Sequence, residues 1–344
     1  MIQKKSKKMR VGESEEKIAS YLKHLAPNTI GLDSIDHVKI LSLTPGAYNL
    51  NYHVEVNHRK FIFRINIEPQ SGLANQIKYE YQVLKFLEGH HIAPKVYHLD
   101  DTCEVFDFGI LIQEYLHGPH LIYKTNQTLE VAHLLVRLHS LPFGAMELIT
   151  WKNPLLETLN LARNDLRDYK KRKNPDQAII NLAAKLLKNS EPLLEAKRNF
   201  FKIDSVNHTD VVCDNFIRTA NGLRMIDWEK PRADDCSYDI GCFLSEPAQL
   251  WCTEDIITPE DRDRFMHAYA QLRGKDVGLL SEKVDIREPL ISLHWILWGA
   301  IKLCDLEDRR TLPELFRAHE EKISRYRRLA RPENIEKLLD TKYR

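Results

Sequence analysis

Three side chains near the middle of the chain have the types and the spacing to carry chemistry together. The segment Val206-Asn207-His208-Thr209-Asp210-Val211-Val212-Cys213-Asp214-Asn215-Phe216-Ile217 places a carboxylate and a carboxamide five positions apart. Met225-Ile226-Asp227-Trp228-Glu229 then supplies a second carboxylate. Phosphoryl transfer needs such groups: a base that orients an acceptor hydroxyl, and hard oxygen ligands that hold Mg2+ against nucleotide phosphates. In that chemistry Asp210 is the base, and Asn215 and Asp227 are the metal ligands. Apolar Phe216 and Ile217 start a strand, Thr219-Ala220-Asn221-Gly222 forms a turn, and Leu223 to Ile226 returns. A hairpin of this kind brings Asn215 and Asp227 to one edge. The bland alternative is that all three are turn residues chosen for backbone reasons. It would require four polar identities and two spacings to coincide by chance.

The stretches HTDVVCDNFI and MIDWE resemble the catalytic and metal-binding motifs of the aminoglycoside phosphotransferase and choline kinase family, small-molecule relatives of protein kinases. The resemblance implies an α+β, two-lobed, protein-kinase-like fold with ATP or GTP bound between the lobes, Mg2+ as cofactor and a small-molecule hydroxyl as acceptor. It assigns residues 1–113 to a β-rich nucleotide-binding lobe, 114–118 to a hinge and 119–344 to a helical lobe with the catalytic loop and acceptor site. His208 opens the catalytic motif beside Asp210. Its expected part in catalysis is to organise the loop, because Asp210 faces the acceptor.

The elements that must position these groups are legible along the chain. Residues 1–12, including the basic MIQKKSKKMR, read as a disordered arm, and Ser14 to Leu25 as a short amphipathic helix closed by Pro27. Val38 to Leu43, His53 to Val56 and Lys60 to Ile65 have strand character. Between the first two lies Thr44-Pro45-Gly46-Ala47-Tyr48-Asn49-Leu50-Asn51-Tyr52, which is similar to the family's phosphate loop. Gly46, Asn49 and Tyr52 match that pattern, while Pro45 and Tyr48 depart from it. Arg64 stands where kinases place a lysine against nucleotide phosphates, and its forked donors suit phosphate oxygens. Ser71 to Glu88 is helix-patterned, and Glu80 is the expected partner of Arg64; a solvated charge is the alternative. Glu114 to Gly118 ends a strand, and the resemblance implies that the Glu114 carbonyl and Leu116 amide bond the nucleotide base. Gln127 to Leu141, Trp151 to Tyr169, Gln177 to Ala196, Pro259 to Leu272, Pro289 to Asp305 and Leu312 to Leu339 read as helices, the last divided near Pro332. Asp239 matches a family aspartate that holds the catalytic loop from beneath, and His139 is assigned to packing.

Bulk properties narrow the partners. Basic and acidic residues number 50 and 49, so no global field favours nucleic acid or a membrane surface. The six cysteines form no C-x-x-C pair and no zinc-spaced cluster with histidine, so they read as buried thiols of a reducing compartment. The run Leu290 to Ile301 is shorter than the ~20 apolar residues of a bilayer span, and the N-terminus lacks a signal-peptide core, which together predict a cytoplasmic protein. A protein kinase is disfavoured because H-R-D and Asp-Phe-Gly triplets are missing and only eleven residues separate Asp227 from Asp239. A nucleotide-binding pseudokinase remains the alternative outside catalysis, favoured only by the altered glycine loop. For the acceptor, Trp251, Trp295 and Trp298 offer an aromatic surface for an ammonium group, and Asp234, Asp235 and Glu246 offer carboxylates for an amino sugar. Helix-spaced tryptophans are also ordinary core residues.

Overall fold

The computed structural model describes residues 11–45, 48–67, 73–197, 199–307 and 320–342. The chain divides into two compact units, the first running to Leu116 and the second beginning at His117. The disordered arm expected for 1–12 lies outside the described residues except at its end, where Val11 and Gly12 already belong to the first helix.

In the first unit, α1 (Val11–Lys23) precedes five antiparallel strands: β1 (Val38–Pro45), β2 (Asn49–Val56), β3 (Arg59–Asn66), β4 (Val96–Asp100) and β5 (Ile110–Glu114), in spatial order β1-β2-β3-β5-β4. Alternation along the strands decides which face is core. Tyr52, Val54 and Val56 on β2 and Phe61, Phe63 and Ile65 on β3 are all buried, joined by Ile18 and Leu22 of α1. Burying each such side chain contributes about 1.5–3 kcal/mol. The β2–β3 register is set by a two-residue turn, Asn57-His58, with φ of 46° and 65°, the left-handed pair that matches strand twist. Helix α2 (Gln76–Leu87) starts later than the Ser71 expected from pattern, because the Asn75 side chain accepts the Lys78 amide and caps it there. Its inner face is Ile77, Tyr79, Glu80, Val83, Leu84 and Leu87, and Tyr81 is only half-buried.

The second unit is mainly helical: α3 (Thr125–His139), α4 (Pro154–Lys170), α5 (Gln177–Ala196), α6 (Ser237–Leu244), α7 (Glu246–Cys252), α8 (Pro259–Arg273), α9 (Val277–Glu307), α10 (Glu320–Leu329) and α11 (Pro332–Lys342). Two small antiparallel pairs are set among the helices, β6 (Ser205–Asn207) with β9 (Arg232–Asp234) and the hairpin β7 (Phe216–Thr219) with β8 (Gly222–Met225). The core joins Leu155, Leu159 and Leu166 of α4, Ile179 and Leu186 of α5 and Leu290, Leu293, Ile296 and Leu297 of α9.

Helix α9 departs from expectation. The sequence pattern starts this helix at Pro289, yet the helix begins twelve residues earlier at Val277 and passes through the proline. An interior proline costs ~3 kcal/mol, and the burial of α9 against α4 and α6 outweighs it. By length and apolarity the Val277–Leu306 segment could cross a membrane, but 61% of its apolar window is buried inside the protein, as befits the central helix of this unit.

A fully buried arginine ties this helix to β9, the strand paired with β6. Arg287 of α9 donates through Nη1 and Nη2 to the two carboxylate oxygens of Asp234, at 3.1 and 2.8 Å, and to the Thr158 hydroxyl at 2.8 Å. A buried arginine is tolerated only when its donors are satisfied in this way. Asp234 also accepts from Arg232 at 3.2 Å, and Asp235 pairs with Lys283 at 2.6 Å. Both aspartates are 0% exposed. The expectation that they meet cations of an amino sugar is therefore corrected: they are interior ion-pair partners that brace β9. Glu246 pairs with Lys337 at 2.6 Å.

Candidate active site

The candidate catalytic segment, His208 to Asn215, is built from β6 outward. Pairing of Asn207 with Arg232 fixes the end of β6, and the chain then leaves the ladder through His208 and Thr209. Thr209 has φ of 75°, a left-handed conformation rare for a β-branched residue. Such a backbone persists only where its surroundings over-determine it, and Asp239, on the first turn of α6, does so. Its carboxylate accepts the His208 amide at 2.7 Å and the Thr209 amide at 2.8 Å. His139 Nε2 lies 3.2 Å from the same carboxylate, and His139 Nδ1 is 2.7 Å from the Tyr269 hydroxyl. Burial by itself would raise the Asp239 pKa, but the hydrogen bonds it accepts from His139 and from the His208 amide outweigh it and hold the carboxyl below its ordinary range. Asn207 closes the loop from the other side, its side chain accepting the Asp239 amide at 3.4 Å.

His208 is fully buried, and backbone groups engage both ring nitrogens. Nε2 is 3.0 Å from the Ile226 carbonyl, and Nδ1 is 3.3 Å from the Asp210 amide. A neutral ring with its proton on Nε2 satisfies both contacts. The ring also packs edge-on against Trp228, whose indole nitrogen donates to the Met225 carbonyl at 2.8 Å. His208 thus links the candidate catalytic segment to the strand end bearing Asp227.

Asp210 is half-buried, and among the described residues its carboxylate has no hydrogen bond or ion pair. Its backbone carbonyl accepts from Val212 N at 3.1 Å and from Asn215 Nδ2 at 2.9 Å. A 3-10 turn, Cys213–Asn215, follows and leads into β7. Phe216 pairs with Met225 across the hairpin, and Ile226 donates to the Asn215 carbonyl at 2.9 Å, so Asn215 and Asp227 flank the same end of the ladder. With Nδ2 committed to Asp210, Asn215 keeps Oδ1 without a hydrogen bond among the described residues. Asp227 has φ of 68°, a second left-handed residue in the site.

The base of this hairpin is clamped by the chain entering the second unit. Leu121 donates to the Phe216 carbonyl at 3.2 Å and Arg218 to the Pro119 carbonyl at 2.9 Å. The approach is so close that a Cβ on Gly118, at φ of 153°, would lie 2.0 Å from the Arg218 carbonyl oxygen. Only glycine fits there.

Of the other expected residues, Arg64 and Glu80 form a pair: Arg64 Nε is 3.1 Å from Glu80 Oε2, and both side chains are at most 3% exposed. Asn49 opens β2, buried, and its Oδ1 accepts from Asn66 at 2.8 Å. Glu114 ends β5; its side chain accepts the Lys95 amide and its own amide donates to the Lys95 carbonyl. Leu116 is buried. Gly46 lies outside the described residues.

Trp251 of α7, Trp295 and Trp298 of α9 and Tyr326 of α10 assemble into one aromatic cluster. Ring centroids are 5.0 Å apart for Trp251–Trp298, 5.3 Å for Trp251–Tyr326 and 5.6 Å for Trp295–Trp298. Tyr326 and the anchoring role of Trp228 carried no local signal in the sequence, since each acquires its partners only through folding.

No curated protein matches the sequence significantly. Among solved structures, a choline kinase from Cryptosporidium parvum is 19% identical, with 94% of this chain and 96% of that one covered at a TM-score of 0.67. A choline kinase from Streptococcus pneumoniae is 19% identical over 94% and 98%, with a TM-score of 0.61. A protein assigned as an aminoglycoside phosphotransferase from Ralstonia eutropha is 13% identical over 94% and 98%, with a TM-score of 0.59. At such identities the likeness is one of fold, and the fold is protein-kinase-like. Residues 39–279, well over half of the chain, match the phosphotransferase enzyme family. The chain belongs to that phosphotransferase enzyme family, and it is a small-molecule kinase.

Proposed function

We propose that the protein moves the γ-phosphoryl group of ATP or GTP, with Mg2+, to a hydroxyl of a small cationic acceptor of the amino alcohol or amino sugar class. The observation that carries the donor half is the disposition of Asp210, Asn215 and Asp227. Asn215 and Asp227 flank one hairpin end, and Asp210 presents a carboxylate that no described side chain occupies. The hard oxygens of Asn215 and Asp227 suit Mg2+. When bound, that ion neutralises charge on the nucleotide phosphates. Asp210 accepts or orients the acceptor's hydroxyl proton, His208 and Asp239 hold its backbone in place, and Arg64, oriented by Glu80, binds nucleotide phosphate. Glu114, Leu116, Asn49 and Gly46 complete the nucleotide site, the first two through backbone groups to the base.

Arg64→Lys tests the nucleotide half. It keeps the charge that Glu80 requires, whereas Arg64→Ala would leave a buried carboxylate uncompensated and confound binding with stability. Losing the forked, charge-assisted contact is worth about 1.5–3 kcal/mol, so Arg64→Lys is expected to bind nucleotide roughly 10- to 100-fold more weakly with an unchanged melting temperature. Parental nucleotide affinity in this variant would remove Arg64 from the site.

The aromatic cluster supports a cationic acceptor, because tryptophan faces attract ammonium groups by about 0.5–2 kcal/mol each. The decisive experiment is ADP release measured over a panel of choline, ethanolamine, aminoglycosides and neutral sugars. Turnover is expected with amine-bearing alcohols, and Trp298→Ala should raise their KM several-fold. Turnover confined to neutral sugars would overturn the acceptor assignment and leave the donor assignment standing.

A further inference from the structure

The catalytic 3-10 turn carries a second set of ligand-type side chains that phosphoryl transfer does not use. Cys213 and Asp214 on that turn meet Cys252 at the end of α7, 39 positions away in sequence. One sulfur from each cysteine and one carboxylate oxygen all lie within 4.8 Å of one another. Cys213 Sγ is 3.8 Å from Asp214 Oδ1. Thiolate sulfur at ~2.3 Å and carboxylate oxygen at ~2.1 Å from a tetrahedral Zn2+ would be about 3.6 Å apart, so the pair needs almost no adjustment to share an ion.

We propose that Cys213, Asp214 and Cys252 form a binding site for a borderline-soft divalent cation, Zn2+ or its analogue Cd2+, separate from the Mg2+ site at Asn215 and Asp227. Two thiolates select such a metal against Mg2+, which prefers oxygen. Arg325 of α10 bonds Asp214 through Oδ2 and leaves Oδ1 on the side of the thiols. That arrangement is an outer-sphere contact, which orients a ligating carboxylate. It also balances charge: two thiolates and a carboxylate are offset by the guanidinium and a divalent ion. Cys213 is buried, while Cys252 and Asp214 are half-exposed, so one side remains open for a water ligand and for the ion to arrive. Binding releases the two thiol protons to solvent and joins α7 to the turn that leads into β7.

The test uses the full chain, reduced and stripped with a chelator, titrated with Cd2+ and followed by sulfur-to-metal charge-transfer absorbance. One equivalent per chain is expected to develop the band, Zn2+ to bleach it by displacement, and Zn2+ to raise the melting temperature. Cys252→Ala should weaken Cd2+ binding more than about 100-fold, and Arg325→Gln about 10-fold. Cys103→Ala, which removes the exposed thiol of the first unit, should bind as the parent does. The site is disproved if the parent develops no band at one equivalent, a result that needs no variant to fold. Retention of the band in Cys252→Ala overturns it equally. Loss of the band in Asp227→Asn would place the ion at the phosphoryl-transfer centre, against the proposal. Because binding and melting are read directly, these outcomes do not depend on whether the acceptor or nucleotide assignments hold.

Discussion

Asp227→Asn is expected to lose phosphoryl transfer by a factor of about 10³ or more and to bind nucleotide with the same affinity whether or not Mg2+ is present. The magnitude is that of removing a charge-stabilising group from a preorganised site. Asparagine is the informative replacement because residue 227 sits at φ of 68°. Asparagine tolerates that left-handed conformation, whereas alanine there would add strain of ~1–2 kcal/mol. The Ile226 amide bond to the Asn215 carbonyl does not involve the carboxylate, so the hairpin end is expected to survive and the melting temperature to stay near that of the parent. Asp227→Ala should lose transfer as fully and melt lower. If Asp227→Asn still transfers phosphate at a Mg2+-dependent rate close to the parent's, Asp227 is not a metal ligand.

The second large effect belongs to Asp210. A positioned base contributes typically 10² to 10⁴ in rate, so Asp210→Asn should lose about that much in single-turnover transfer and bind Mg·ATP as the parent does. The structure makes this a clean substitution. Residue 210 holds its neighbours through its main chain, the amide toward His208 and the carbonyl toward Val212 and Asn215, while its carboxylate has no partner among the described residues. Nucleotide affinity and transfer should therefore separate. A parallel fall in both would make Asp210 structural, and a fall in neither would mean that the reacting group lies elsewhere.

Asp239 shows why these two side chains can be replaced without dismantling the site. The unusual turn at Thr209 is held by a carboxylate that accepts two consecutive backbone amides and faces His139, itself bonded to Tyr269. Below it, the Arg287–Asp234 pair anchors β9, the partner of β6. The candidate reactive groups stand on a base whose buried carboxylates, Asp234 and Asp239, are paired internally, which favours electrostatic preorganisation.

The local elements that carry the candidate groups were legible in the sequence. The spacing of His208, Asp210 and Asn215 and the apolar pair before Asp227 specify a loop, a hairpin and a strand end, because turn residues and strand alternation act over a few positions. The same short-range logic placed β2, β3 and most helices. It failed where long-range packing opposes a local rule. Pro289 signals a helix start, yet the burial of α9 carries the helix through it. Asp234 and Asp235 look like solvent-facing acids in a loop; Arg287 and Lys283, some fifty positions later, draw them into the interior. The six cysteines showed no ligand spacing, because Cys213 and Cys252 become neighbours only when α7 packs against the catalytic turn. The identities of the candidate groups and their spacing are therefore properties of the sequence. Which acids are buried, which aromatic rings gather around Trp251 and which thiols meet were decided by tertiary structure, since those contacts join segments that no local pattern connects.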